Sequence, residues 1–153
     1  MGDLMSEKHA FIMMIQSKWW NEFCKNNHNG KRIHSYIKLG LAPPKETSSL
    51  LFYVTRPVGQ ITGYADFIER RVGDVEKMWQ EYGRETVLDS KETYKSFVGG
   101  SRRVSFIRFK DLHEAKKPIP LSNALLFLGV KRLPRRGFYL DKETTDELVT
   151  MMG

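Results

Sequence analysis

Residues 50–67 read "LLFYVTRPVGQITGYADF". Leu50 to Thr55 are rich in aromatic and branched side chains, the composition of a strand. Arg56-Pro57-Val58-Gly59 supplies a turn. From Gln60 to Arg71 the pattern alternates. Ile61, Gly63, Ala65 and Phe67 fall on one face, and Tyr64, Asp66 and Arg70 on the other. Two such strands joined by a tight turn predict an antiparallel hairpin.

Upstream, "AFIMMI" (10–15) is an apolar run of strand length. Ser17 is placed to cap a helix through Asn26 that buries Trp20, Phe23 and Cys24. "NNHNGKR" (26–32) ends it, with Gly30 suited to positive φ. "LAPPKETSS" (41–49) reads as a loop. Downstream, Asp74 caps a helix in which Val75, Met78, Trp79 and Tyr82 share one face. A second helix (90–98) gathers Tyr94, Phe97 and Val98. "RRVSFIRFK" (102–110) is a strand with bases interleaved among apolar residues. "PLSNALLFLG" (120–129) is a helix begun near Ser122 and stopped by Gly129. "GFYL" (137–140) is a short strand. The last segment (141–152) is a capped helix turning Thr145, Leu148, Val149 and Met152 inward.

This order lacks the regular alternation and glycine-rich βα turns of a doubly wound nucleotide fold. It predicts an α+β fold, a small and mostly antiparallel sheet or barrel with flanking helices. The 153 residues suit one domain, with a core over 10–140 and a C-terminal helix over 141–152. No apolar run approaches the ~20 residues that span a bilayer. The opening "MGDLMSEKHAFIMMI" lacks the layout of a signal peptide. Cys24 is the only cysteine, so no internal disulfide is possible, and a reducing cytoplasm is the expected location. The oligomeric state is not legible.

The formal charge of +7 is unevenly spread. Residues 31–71 carry seven bases against three acids, and residues 101–136 carry ten against two. Between them, residues 72–100 are net acidic, with six acids and four bases. Two basic blocks brought together by folding would form one electropositive surface. Lys131, Arg132, Arg135 and Arg136 crowd into six positions, and arginine offers a planar fork of donors that matches phosphate. Lys31 and Arg32 read equally as phosphate ligands and as cations opposing a helix dipole. Arg102, Arg103, Arg108 and Lys110 alternate with apolar residues as on a half-buried strand. Cys24, His28 and His34 match no zinc spacing, so no metal is expected. No P-loop, GxGxxG or Ser-His-Asp pattern occurs, and no cofactor is implied.

Three stretches together carry a family resemblance: "NGKR", the hairpin with its Gly63-x-Ala65 element, and "PLSNALLFLGVKRLPRRGFYL". The chain resembles the PUA-like superfamily, which holds the PUA, ASCH and EVE domains, and within it an archaeal-type branch near ASCH. ASCH domains tend to carry Gly-x-Lys-x-x-Glu-x-Arg. Here Gly30-Lys31-Arg32-Ile33-His34-Ser35-Tyr36 keeps glycine and lysine at shorter spacing, without the Glu and Arg. The resemblance implies a β-barrel that binds RNA or another nucleic acid. Lys31, Arg32, Arg70, Arg71, Arg108, Arg132, Arg135 and Arg136 would grip phosphates. An unpaired or modified base would enter beside Tyr64. The alternative it implies is a small amidohydrolase or nuclease in the same cleft, built from a lysine, a hydroxyl and a glutamate. The candidates are Lys31, Glu69, and Ser35 or Thr62.

Overall fold

The computed structural model describes residues 7–153. The reading of the extreme N-terminus falls in part on residues 1–6, outside the described residues. Six strands form one sheet. In chain order the elements are β1 (Ala10–Ile15), α1 (Ser17–His28), β2 (Ile33–Leu39), β3 (Ser49–Val54) and β4 (Gln60–Asp74). There follow α2 (Val75–Tyr82), a 3-10 turn (Gly83–Glu85), α3 (Lys91–Val98) and β5 (Arg103–Pro120). The chain closes with α4 (Leu121–Leu128), β6 (Phe138–Leu140) and α5 (Lys142–Met152). The strand order is β2-β5-β4-β3-β1-β6. Only β1 and β3 run parallel; every other pairing is antiparallel.

The hairpin forms as expected, with Ser49 opposite Asp66 and Val54 opposite Gln60. Its inner face meets α1. Phe11, Met13, Ile15, Leu50, Phe52, Ala65, Ile107 and Phe109 pack against Trp20, Phe23 and Cys24. Each such large side chain contributes ~1.5–3 kcal/mol by leaving water. Gly63 makes this approach possible, because a Cβ there would overlap the His113 carbonyl and lie 2.6 Å from Trp20 Cη2. The outer face is covered twice. Near β1 and β3, Ile12, Leu51, Tyr53 and Ile61 meet Ala124 of α4 and Leu148 and Met152 of α5. Near β2 and β5, Ile37, Val104 and Phe106 meet Met78 of α2 and Tyr94 and Val98 of α3.

Ser17 opens α1 rather than capping it, the cap position falling on Gln16, and two larger features also depart from the sequence reading. First, β2 was not expected, because its inward positions are His34, Tyr36 and Lys38 and its buried outer positions include Ser35. Its apolar alternation is therefore broken by polar side chains. Second, β5 runs on past Lys110, through a bulge at Asp111 with φ of 53°, to Pro120. That extension is charged, and only Leu112, Ala115 and Ile119 turn to the core clusters. Among the described residues no ladder joins the two edges, β2 and β6, so the sheet is open, though it rolls far enough for Lys38 of β2 to reach Phe11 of β1.

Candidate functional site

Strand register builds the site. Ser35 on β2, Arg108 on β5 and Glu69 on β4 lie opposite one another across three adjacent strands. Residues paired across strands point to the same face, so their side chains converge. The 3-10 turn after α2 drops Glu85 onto this row. Arg108 Nε and Nη2 each donate to one Glu85 oxygen at 2.9 Å, a bidentate fork. Arg108 Nη1 donates to Glu69 Oε2. The guanidinium also lies over the Tyr82 ring, 4.7 Å from its centre. Ser35 Oγ donates to Glu85 Oε1 at 2.8 Å. Lys31 Nζ donates to the Thr86 carbonyl at 3.4 Å. The turn itself is closed by Thr86 Oγ1 donating to the Gly83 carbonyl at 2.8 Å.

The bonds from Glu85, with those from Glu69, raise the Arg108 pKa against the opposing effect of burial. Burial lowers that of Lys31, and Glu85 partly offsets it. Arg108 and the two carboxylates thus offset one another's charge, with the buried Ser35 hydroxyl and the part-buried Lys31 ammonium beside them. Beneath them His34 is fully buried between Phe23 and Phe109. Burial, then Lys31, push its pKa down to about 4, with Glu85 opposing. Its Nδ1 has no hydrogen-bond partner.

Beside this cluster, along the unpaired edge of β2, lies a small pocket of about 30 Å³. Trp19, Tyr36, Leu88 and Phe97 form apolar walls, and Ser35 and Thr86 stand at its polar end.

The sequence-predicted residues divide between this site and other surfaces. Lys31, Ser35, Glu69 and Arg108 come together. Lys31 and Arg32 also border a shallow hollow with Asn27, Asp111 and His113. Arg71 is half-exposed, 3.9 Å from Glu69. Arg70 donates to the Ala42 carbonyl at 3.0 Å. Tyr64 stacks on His113, with ring centres 4.9 Å apart, and lines a groove against α5 instead. Arg132, Arg135 and Arg136 are exposed on the loop between α4 and β6. The buried Thr62 hydroxyl has no partner. The two basic blocks are adjacent in the sheet through β2, β5 and β4, yet their cations do not ring a single hollow.

Sequence reading missed Glu85, Tyr82, Trp19 and Phe97. Glu85 lies in the acidic helical segment, where a solvated face explains every carboxylate; only Gly83, interrupting the helical period, marks the turn that redirects it. Among the described residues no group of three or more His, Cys, Asp or Glu could hold a metal ion. Cys24 and His28 both face Glu114, while His34 faces Asn27.

A relative from Zymomonas mobilis subsp. mobilis, the "ASCH domain-containing ribonuclease", is 30% identical over 152 residues. The match covers 99% of this chain and 97% of the relative. The chain belongs to the ASCH domain family. No family model matches it. The crystal structure of the ASCH protein of Zymomonas mobilis superposes with a TM-score of 0.75 at 24% identity, covering 94% of this chain and 96% of that one. A serine-to-alanine variant of the same protein gives 0.77 at 22% identity, covering 95% and 98%. These likenesses span nearly the whole of this chain. Among the described residues, no helix of this ASCH chain is long and apolar enough to cross a membrane.

Proposed function

We propose that this ASCH domain binds RNA, stacking one unpaired base against the aromatic side chains along β2 while cations around them hold the backbone. The observation that carries the reading is the aromatic pocket opening directly beside Ser35 and the Lys31–Thr86 contact. Its apolar walls suit a base face, since stacking on an aromatic side chain contributes ~1–3 kcal/mol per base. The ribonuclease name of the full-length relative supports RNA as the polymer. Lys31 and Arg71 beside the cluster and Arg32 on the neighbouring hollow would serve as phosphate contacts, and Arg132, Arg135 and Arg136 would offer more at a distance. Arg108 and Arg70 act as structural cations, because carboxylates and a carbonyl already occupy them.

Fluorescence anisotropy with single-stranded and structured RNA across a salt series tests this. Three phosphate contacts predict a log–log salt slope of about −2. No binding at low salt would refute the reading, and a flat salt response would remove the phosphate grip.

One observation favours a second, hydrolytic reading. Ser35 donates its hydroxyl proton toward Glu85, with the Lys31 ammonium alongside. That trio has the parts for hydroxyl activation and charge stabilisation. Turnover of RNA or of an acylated cytidine, lost in Ser35→Ala and in Lys31→Ala with folding intact, would establish it.

A further inference from the structure

At the opposite end of β2 from Lys31, the sheet's two open edges approach each other. Lys38, on β2, reaches across with Nζ 5.8 Å from the centre of the Phe11 ring on β1. Its hydrogen bond is a long one, 3.5 Å to the Pro43 carbonyl. Arg136, which leads into β6, stands close enough to add to the lowering of the Lys38 pKa; burial is the larger cause, and the value falls to about 8. Arg70 donates to the neighbouring Ala42 carbonyl at 3.0 Å. Among the described residues, none of these three cations has a carboxylate partner.

The crowding is built into the backbone. Gly137 has φ of 84°, and its N–H donates to the Pro134 carbonyl at 2.9 Å. A Cβ there would overlap the Ile12 carbonyl and lie 2.6 Å from Phe11 Cζ. Only glycine lets the loop press onto β1 at this point, and that contact fixes where Arg136 emerges. Next to it, Tyr139 packs edge-on to Phe11, and its hydroxyl accepts the Lys45 N–H at 3.1 Å. Lys8 Nζ stands 5.3 Å from the Tyr139 ring centre. The seam therefore gathers cations and an aromatic, and among the described residues no carboxylate pairs with Lys38 or Arg136.

We infer that the seam between β2 and the β6 edge is a phosphate site, with Lys38 and Arg136 as its two ligands. A phosphate would supply the missing counter-charge and accept from both side chains. Lys31 and Lys38 are seven residues apart on an extended chain, so the seam lies roughly 20 Å from the Lys31 cluster. The source is either a free phosphate or a backbone phosphate of the strand seated along β2. Only the second source rests on the RNA-binding reading.

The test is amine labelling of the intact protein by reductive methylation with limiting reagent, read peptide by peptide by mass spectrometry. The probes are inorganic phosphate, against chloride at equal ionic strength, and a single-stranded RNA of about ten nucleotides. The expected result is labelling of Lys38 slowed at least about fivefold by phosphate or RNA, with the exposed Lys77 unchanged. That protection should be lost in Arg136→Gln, a substitution on an exposed loop. Protection by inorganic phosphate in a protein that binds no RNA would uphold the seam site and refute the RNA reading. RNA that binds without slowing Lys38, together with no effect of phosphate, would overturn the seam site and leave the RNA reading standing. Protection that persists in Arg136→Gln would also overturn it.

Discussion

Two carboxylates hold Arg108, but they are not equivalent. The Glu85 side chain is 15% exposed and bidentate, while that of Glu69 is 38% exposed. Glu85→Gln leaves a half-satisfied, mostly buried guanidinium and is expected to cost about 2–3 kcal/mol. Glu69→Gln should cost under about 1 kcal/mol, as exposed ion pairs do. Urea denaturation with an unchanged m-value measures both, and equal costs would contradict the geometry. His34 provides a pH signature. Its folded pKa of about 4 lies below the model-peptide 6.5, so the unfolded chain binds the extra proton between those values. Stability from this residue is complete above pH 6.5 and falls away toward pH 4, by on the order of 3 kcal/mol. In His34→Phe that part of the acid loss should vanish, seen as a flatter urea midpoint between pH 6.5 and 4.

Helices and hairpin were legible because each has one dominant signal: a cap, a turn or a clean period. Asp74 and Asp141 cap as expected, each accepting a backbone N–H, whereas Ser17 opens α1 without capping it. β2 was hidden because polar side chains break its apolar alternation, His34 within the core, Ser35 at the site and Lys38 at the seam. His34, Ser35 and Lys38 are polar where a structural strand would be apolar. The same reason hid Glu85, since nothing local separates a carboxylate aimed at a partner from one facing water. Lys31 was legible as a cation; its partner 55 positions along the chain was not. The acidic helices contribute to the site by delivering that partner, so their mutual packing matters. Tyr94 on α3 stacks on Trp79 of α2 and donates its hydroxyl to the Val75 carbonyl at 2.7 Å. Tyr94→Phe keeps the stacking and removes that bond, at an expected cost of about 1 kcal/mol. Hydrogen exchange should quicken in α2 and in the turn carrying Glu85 before it does in β3. Uniform acceleration would mean that the helices do not open as a unit.

At the scale of the whole molecule, an open rolled sheet needs its two edges filled by something other than a hydrogen-bond ladder. At one end α1 and the aromatic pocket serve; at the other Lys38 lies against Phe11 under Arg136. A lysine is a poor seam filler, because its charge is desolvated beside a like charge, and that penalty persists wherever the amine stays protonated. The unfolded lysine keeps its proton up to 10.5, whereas the folded one releases it near 8. The penalty is therefore full below pH 8 and fades toward 10.5. Lys38→Met keeps the apolar stem over Phe11 and removes the charge. It should stabilise the protein by about 1–2 kcal/mol at pH 7, and the gain should shrink between pH 8 and 10.5. Inorganic phosphate should then raise the melting temperature of the wild type but leave that of the variant unmoved, since a ligand stabilises only the state that binds it. A variant less stable than wild type at pH 7 would show that Lys38 is held by compensating contacts, and that the seam needs no anion to be at rest.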